Sequence, residues 1–481
     1  MNKRLTFKLI GYVLLVEAAL MLVPLAVSLI MGGGDALALL EAMAVTATAG
    51  GLLSLLKPRN DNLRAREGFA VVALGWLLVS FFGALPFWFD GCIPSLTDCF
   101  FETVSGFTTT GSTILTDVEI LPKGLMFWRS FTHWVGGMGV LVLSLALLPK
   151  MGARSIYLMR AESPGPSVDK LVPRVGNNAK ILYQLYVWLS VIMLALLLCT
   201  GMNLYDALIH VFGAAGTGGF SNYNASVGAF NNPAVDIIIG VFMALFGVNF
   251  SLYYYLLRRN WKVSLGNSEL HAYGAILLGA SVLIALNILP LYGGNFLTAL
   301  RYSFFQVSSV MTTTGYATAD FNLWPQLSRT LLVLIMLIGA SAGSTGGGIK
   351  VIRVQMLFKG MVREIRRTIH PKSVNTVKLD GRAVGENTLS GVHSFFFAYF
   401  CVLILSTLVI SLDGFDLETN LTAVIATLSN IGPGLGMVGP TGNFSQFSVL
   451  SKLVLSLCML IGRLEIFPIL MMAAPSAWRS Y

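Results

Sequence analysis

Thr109-Thr110-Gly111-Ser112, Gly216-Thr217-Gly218-Gly219, Thr313-Thr314-Gly315-Tyr316 and Asn430-Ile431-Gly432-Pro433 are four glycine-bearing turns spread along one chain. The chemistry they offer is that of backbone oxygens. Glycine permits backbone angles that aim carbonyls inward, and threonine hydroxyls add further oxygen ligands. A ring of such carbonyls replaces the hydration shell of a monovalent cation. Two turns lie within identical Thr-Thr-Thr-Gly stretches, Thr108–Gly111 and Thr312–Gly315. Taking Gly111, Gly218, Gly315 and Gly432 as equivalents gives a fourfold repeat. The alternative is four unrelated glycine-rich helix connections.

A second glycine run, Gly339 to Gly348, holds five glycines in ten residues, among them Gly343, Gly346, Gly347 and Gly348. Each costs about 1 kcal/mol inside a helix, so this stretch is expected to unwind just inside the third turn, where a gate would stand. A helix packed through small residues is the bland alternative. A phosphate loop is excluded, because Ile349 precedes Lys350 and Val351 replaces the needed Ser/Thr. Arg463 falls in the middle of an apolar run, and an unpaired charge there is costly. It is expected to face the loop carbonyls around Gly343–Gly347 as a cationic barrier, or to be a structural or snorkelling arginine. Glu465 is only two positions away and faces elsewhere on a helix.

These groups need a scaffold, and the composition says which kind. Of 481 residues, 55% are hydrophobic and 11% charged, with a mean hydropathy of +0.74. Soluble domains carry about 25% charged residues, so a soluble enzyme, a disordered chain and a coiled coil are excluded. What remains is an all-α polytopic membrane protein. Ten apolar runs are long enough to span, including Phe7–Met31, Leu125–Leu148, Pro233–Leu257, Leu327–Ile349 and Phe447–Met472. Four shorter segments, Leu96–Ser105, Leu204–Phe212, Leu297–Ser309 and Leu421–Leu428, each precede a turn. Helix, half-helix, turn, helix is the plan of a re-entrant pore loop. Irregular backbone at membrane depth survives only when buried in protein or lining water.

With the N-terminus inside, most of the 32 Lys and Arg fall in inside segments, so both termini are expected in the cytoplasm. The net charge of +9 therefore reflects topology rather than nucleic-acid binding. The outer loops lean acidic, which would either concentrate cations or merely reflect the lack of Lys and Arg. Cys92 and Cys99 share one polar loop, which leaves open a disulfide or two free thiols. Arg129 and His133 lie four apart and are expected in a polar network on one helix face. Glu17 and Glu41 are apolar-span carboxylates that would bind helix partners.

The runs Phe101-Glu102-Thr103-Val104-Ser105-Gly106-Phe107-Thr108-Thr109-Thr110-Gly111, His133-Trp134-Val135-Gly136-Gly137-Met138-Gly139, Gly216-Thr217-Gly218-Gly219-Phe220-Ser221, Ala342-Gly343-Ser344-Thr345-Gly346-Gly347-Gly348-Ile349-Lys350 and Gly462-Arg463-Leu464-Glu465 resemble the Trk/Ktr/HKT superfamily of potassium transporters. The likeness covers essentially the whole chain, and the two leading helices are similar to the bacterial Trk-type pore subunit. The resemblance implies ten transmembrane helices, with four pseudo-repeats of helix, pore loop and helix around one central pore. Residues 1–67 would be two leading helices, 68–170 the first repeat and 171–265 the second. Residues 266–385 would be the third, with a broken inner helix and a basic cytoplasmic arm, and 386–481 the fourth.

The resemblance also implies potassium as the transported ion, a bacterial inner-membrane location, a homodimer and a cytosolic nucleotide-binding regulatory subunit. The chain itself has no nucleotide-hydrolysis motif and no cofactor is expected. Glycine rather than serine at Gly111 implies potassium over sodium. The nine Lys and Arg of Lys350–Arg382 would dock the regulator or mark topology and anionic-lipid contact. A proton- or sodium-coupled symporter is the competing function, with Glu102, His210 and Asp320 as titratable candidates. An enzyme is not expected: the five histidines form no HExxH and no paired aspartates lie within the spans.

Overall fold

Helices dominate the computed structural model, which describes residues 2–58, 65–137, 139, 175–372 and 375–473. The far half of the expected Leu125–Leu148 span, the basic residues between Lys150 and Arg174, and Arg479 lie outside the described residues. In chain order the helices are α1 (Lys3–Leu20), α2 (Leu22–Met31), α3 (Ala36–Ser54), α4 (Ala65–Asp90), α5 (Leu96–Phe107), α6 (Lys123–Gly137) and α7 (Val175–Cys199). They continue with α8 (Leu204–Gly216), α9 (Pro233–Phe246), α10 (Phe250–Leu257), α11 (Trp261–Leu265), α12 (Ser268–Ile288) and α13 (Phe296–Met311). The last are α14 (Gln326–Ile338), α15 (Val351–Ile369), α16 (Glu386–Ile410), α17 (Leu417–Leu428), α18 (Val449–Arg463) and α19 (Phe467–Ala473). A two-residue antiparallel hairpin, Lys378–Leu379 with Arg382–Ala383, follows α15.

Among the described residues, six helical stretches are long and apolar enough to cross a bilayer: Lys3–Met31, Ala36–Ser54, Glu67–Asp90, Ile181–Cys199, Ser268–Tyr292 and Glu386–Asp413. Two runs read from the sequence as continuous spans are instead interrupted, and a third, expected to unwind, does so. Pro233–Leu257 bends by 92° between α9 and α10, where Asn249 caps the new helix by accepting from the Ser251 amide at 2.9 Å. Leu327–Ile349 ends as a helix at Ile338 and unwinds, as its glycines foretold. Phe447–Met472 breaks after Arg463, with Glu465 and Ile466 in the left-handed region at φ 58° and 64°. The charged Arg463 and Glu465 mark that last break, and Ile466, a strongly apolar residue, sits in a conformation that β-branched side chains avoid.

The four short helices α5, α8, α13 and α17 begin in one way. Ser95, Asn203, Asn295 and Asp416 accept the amide of the residue three positions on, which satisfies an otherwise orphaned donor. The outer-loop acids are largely spent on structure rather than on a charged mouth. Asp98 pairs with Lys452 at 2.6 Å, and Asp206 accepts from Asn222 and Tyr223 at 2.7 and 2.8 Å. The Thr419 hydroxyl and amide hold the exposed Asp416 carboxyl below the usual carboxylate range. Cys92 and Cys99 are free thiols, each donating to a backbone carbonyl.

Candidate cation site

All four short helices also end in one way. The amides of Thr109, Thr217, Thr313 and Asn430 donate three residues back, to Gly106, Ala214, Val310 and Thr427. The next amides, of Thr110, Gly218, Thr314 and Ile431, donate five residues back, to Ser105, Gly213, Ser309 and Ala426, at 2.8–2.9 Å. This is a Schellman ending, which needs a left-handed residue just past the helix. Glycine usually takes that place. Here Thr109, Thr217, Thr313 and Asn430 do, at φ 54°, 54°, 58° and 56°. Threonine in this region is strained, and three threonines at equivalent places, with Asn430 at the fourth, mark a site that the surrounding packing enforces.

The next left-handed residues are Gly111, Gly219, Gly315 and Gly432, at φ 85°, 77°, 84° and 104°. This corrects the register of the second turn. Gly219, not Gly218, is the counterpart of Gly111, and Gly216 is the last residue of α8 rather than part of the turn. The position after the glycine is Ser112, Phe220, Tyr316 and Pro433, so Phe220 is a site residue that the sequence reading placed outside the turn. Three glycines in Gly216-Thr217-Gly218-Gly219 left the register open to composition; only backbone angles decide it.

The turns close into a ring. A Cβ at Gly111 would overlap the Gly218 carbonyl oxygen, one at Gly219 that of Thr314, and one at Gly315 that of Ile431. A Cβ at Gly432 would lie 2.9 Å from the Thr110 carbonyl oxygen. Each glycine thus lets the equivalent carbonyl of the next turn come close, in the order first, second, third, fourth and back to first. The first and third turns therefore stand opposite each other. Cross-links stitch the ring: Ser112 donates to the Gly432 carbonyl at 3.0 Å, and the Tyr316 hydroxyl donates to the Phe220 carbonyl at 3.1 Å. Four helix C-termini converge on it, each carrying partial negative charge that favours a cation.

The threonine hydroxyls brace rather than ligate. Thr110 Oγ1 is 2.8 Å from Thr108 Oγ1 and accepts from Asn430 Nδ2 at 2.9 Å; Thr314 Oγ1 is 2.8 Å from Thr312 Oγ1. The carbonyls remain the oxygens available to an ion. On the outer side the ring opens into a cavity lined by Gly111, Gly219, Gly315 and Gly432 together with the outer loops.

A buried ion pair stands behind the first two turns. Arg129 Nε donates to Glu102 Oε1 at 2.7 Å, and the guanidinium lies 3.5 Å from the Phe220 ring centre. Glu102 also accepts from the Ile114 amide at 2.9 Å. His133, expected with Arg129 in a network, instead places Nδ1 2.8 Å from the Gly106 carbonyl and stacks on Phe220 at 4.1 Å. Removing one partner of a buried pair strands the other charge and costs about 3–5 kcal/mol. Glu102→Ala is therefore expected to lower the thermal midpoint of the purified protein by several degrees. An unchanged midpoint would show that the pair carries no structural load.

Residues 339–350 pack directly against the inner side of the ring. The Gly347 amide donates to Thr313 Oγ1 at 2.7 Å, a Cβ at Gly346 would sit 2.8 Å from the Thr312 carbonyl oxygen, and one at Gly347 would overlap that of Ser429. Gly343 donates no side chain but accepts the Phe250 amide at 3.0 Å, and Gly348 abuts Gly339. Glu269 ties both ends of the loop, accepting the amides of Ala342 at 2.7 Å and Ile352 at 3.2 Å. Arg463 reaches this loop from α18: one nitrogen donates to the Thr345 carbonyl at 2.8 Å and another to the Gly136 carbonyl at 2.7 Å. Gly136 belongs to the first quarter of the ring and Thr345 to the third, so the guanidinium bridges opposite sides. Glu465 turns away and pairs with Arg353 at 2.5 Å.

The chain is similar to known membrane transport proteins. The family model for TrkH, described as cation transport protein, matches residues 37–273 and 295–480. The Trk system potassium uptake protein TrkH of Salmonella typhimurium is 39% identical, over 100% of both chains. The Trk system potassium uptake protein TrkG of Escherichia coli is 34% identical, over 90% of this chain and 89% of its own. The crystal structure of the potassium transporter TrkH from Vibrio parahaemolyticus is similar over 100% of both chains, with a TM-score of 0.89 and 33% identity.

Proposed function

The chain belongs to the TrkH family of cation transport proteins, a membrane transporter rather than an enzyme, and from that premise we propose that it takes up potassium through a gated pore. The filter is the ring of Thr110, Gly218, Thr314 and Ile431 carbonyls. The observation that carries this reading is the ring's closure, four equivalent carbonyls each seated against the glycine of a neighbouring turn. Carbonyl rings of this kind stand in for a monovalent cation's water shell. Around it the chain forms four pseudo-repeats and ten spans, with both termini cytoplasmic in a bacterial inner membrane.

The gate is residues 339–350 with Arg463. A guanidinium joining opposite sides of the pore just inside the filter places a positive charge in the path of a cation. Opening requires that it leave the Thr345 or Gly136 carbonyl. The α15 arm, which begins where the loop ends, is the lever by which a cytosolic nucleotide-binding subunit would act, in a homodimer with one pore per chain.

The titratable candidates favour passive conduction over proton coupling. Glu102 is locked to Arg129. His210 places its ring nitrogens 2.8 and 3.1 Å from the Asp206 carbonyl and the Ser221 hydroxyl. Asp320 caps the Asn322 amide at 3.0 Å. None could exchange protons each cycle without dismantling these contacts. The test is uptake into liposomes holding the purified protein, under a potassium or a sodium gradient with no proton gradient. Potassium-preferring uptake is expected. Uptake that appears only when a proton gradient is imposed would replace the pore with a symporter.

A further inference from the structure

A cavity lies among α1, α4, α5 and α6, lined by Val13, Glu17, Trp76, Val79, Phe107 and Gly136 among others. Its wall is apolar save for one group. Glu17 is 3% exposed, and neither of its carboxyl oxygens has a hydrogen-bond partner among the described residues. Oε1 rests near Gly83, where an added Cβ would be 3.0 Å away. A buried carboxyl without a donor is rare in native structures and asks for one. Leu77 and Phe81, on the same helix as Trp76 and Val79, are exposed.

We propose that this cavity is a binding site for a lipophilic amine. Such a molecule matches the two features present: an alkyl or aryl body against Val13, Val79 and Phe107, and a nitrogen that donates to Glu17. The Trp76 ring adds a face that attracts an ammonium. The site also touches the gate, a consequence that rests on the function proposed above. Trp76 lies 5.9 Å from the Arg463 guanidinium, and Gly136, whose carbonyl Arg463 holds at 2.7 Å, forms part of the wall. An occupant therefore presses on what keeps Arg463 in place.

Two readouts separate the site from its link to the gate. In the first, purified protein in liposomes is treated with dicyclohexylcarbodiimide, which modifies carboxylic acids in apolar surroundings, and Glu17 is followed by mass spectrometry. Octylamine is expected to protect Glu17 in a saturable way, whereas octane is not. Val79→Trp, which fills the cavity and leaves Glu17 in place, is expected to weaken protection by at least tenfold. No protection, or equal protection in Val79→Trp, overturns the site. In the second, resting potassium flux is measured with octylamine. A several-fold change is expected in the wild-type protein and none in Glu17→Gln. Saturable protection without a flux change would keep the site and overturn its link to Arg463; equal flux changes in both proteins would overturn that link as well.

Discussion

Gly219→Ala is expected to reduce potassium flux in liposomes by at least about 100-fold, equivalent to a rise of about 2.7 kcal/mol in the barrier. Two costs combine. Gly219 has φ 77°, where an L side chain costs about 1–2 kcal/mol. The new methyl would also overlap the Thr314 carbonyl oxygen, which must swing away from its place in the ring. A matched control isolates the second cost. Gly201 has φ 88° with nothing within 4 Å of an added Cβ, so Gly201→Ala carries the backbone strain without the crowding. It is expected to retain flux within about twofold, since loop strain alone leaves the ring intact. Flux in Gly219→Ala equal to that of the wild type, with the protein still monodisperse, would mean that the ring is not the conduction path.

Arg463→Ala is expected to raise resting potassium flux by at least about tenfold. The side chain makes two short charge-assisted hydrogen bonds, to Thr345 and Gly136, and each such bond contributes about 1.5–3 kcal/mol. Their loss shifts a closed–open balance by more than the 1.4 kcal/mol that a factor of ten requires. Arg463→Lys separates two contributions. Lysine keeps the charge but lacks the planar fork that reaches two carbonyls at once. If the crossbar holds the gate, the lysine variant leaks nearly as much as alanine; if the charge alone bars the pore, it stays closed. Unchanged flux in Arg463→Ala would remove Arg463 from the gate. Alanine at Gly346 and Gly347 attacks the same device from the loop, since both positions press on carbonyls of the third and fourth turns.

Much of this architecture is local and could be read from residue order. Membrane insertion follows from apolar runs, because each residue's transfer from water is nearly independent of its neighbours. The four short helices are announced by Ser95, Asn203, Asn295 and Asp416 and stopped by the turns, since capping involves residues three to five apart. Unwinding after Ile338 follows from glycine density. What the residue order could not decide depends on groups far apart in the chain. The register of the second turn is settled by which glycine faces the Thr314 carbonyl. The pairing of Glu102 with Arg129 rather than of Arg129 with His133 depends on how α5 meets α6. At the breaks after Phe246 and Arg463 the polar marks are Asn249, Arg463 and Glu465, and contacts with the loop and the neighbouring quarter stabilise the interrupted helices. Arg463 itself was legible as a costly charge, but its two carbonyl partners lie 118 and 327 residues away. Composition and local pattern thus determined a helical membrane protein with four half-helices, each followed by a glycine-bearing turn. The tertiary structure alone decided that their turns close into one ring and that a single arginine reaches across beneath it, because ring closure depends on long-range packing that no local segment encodes.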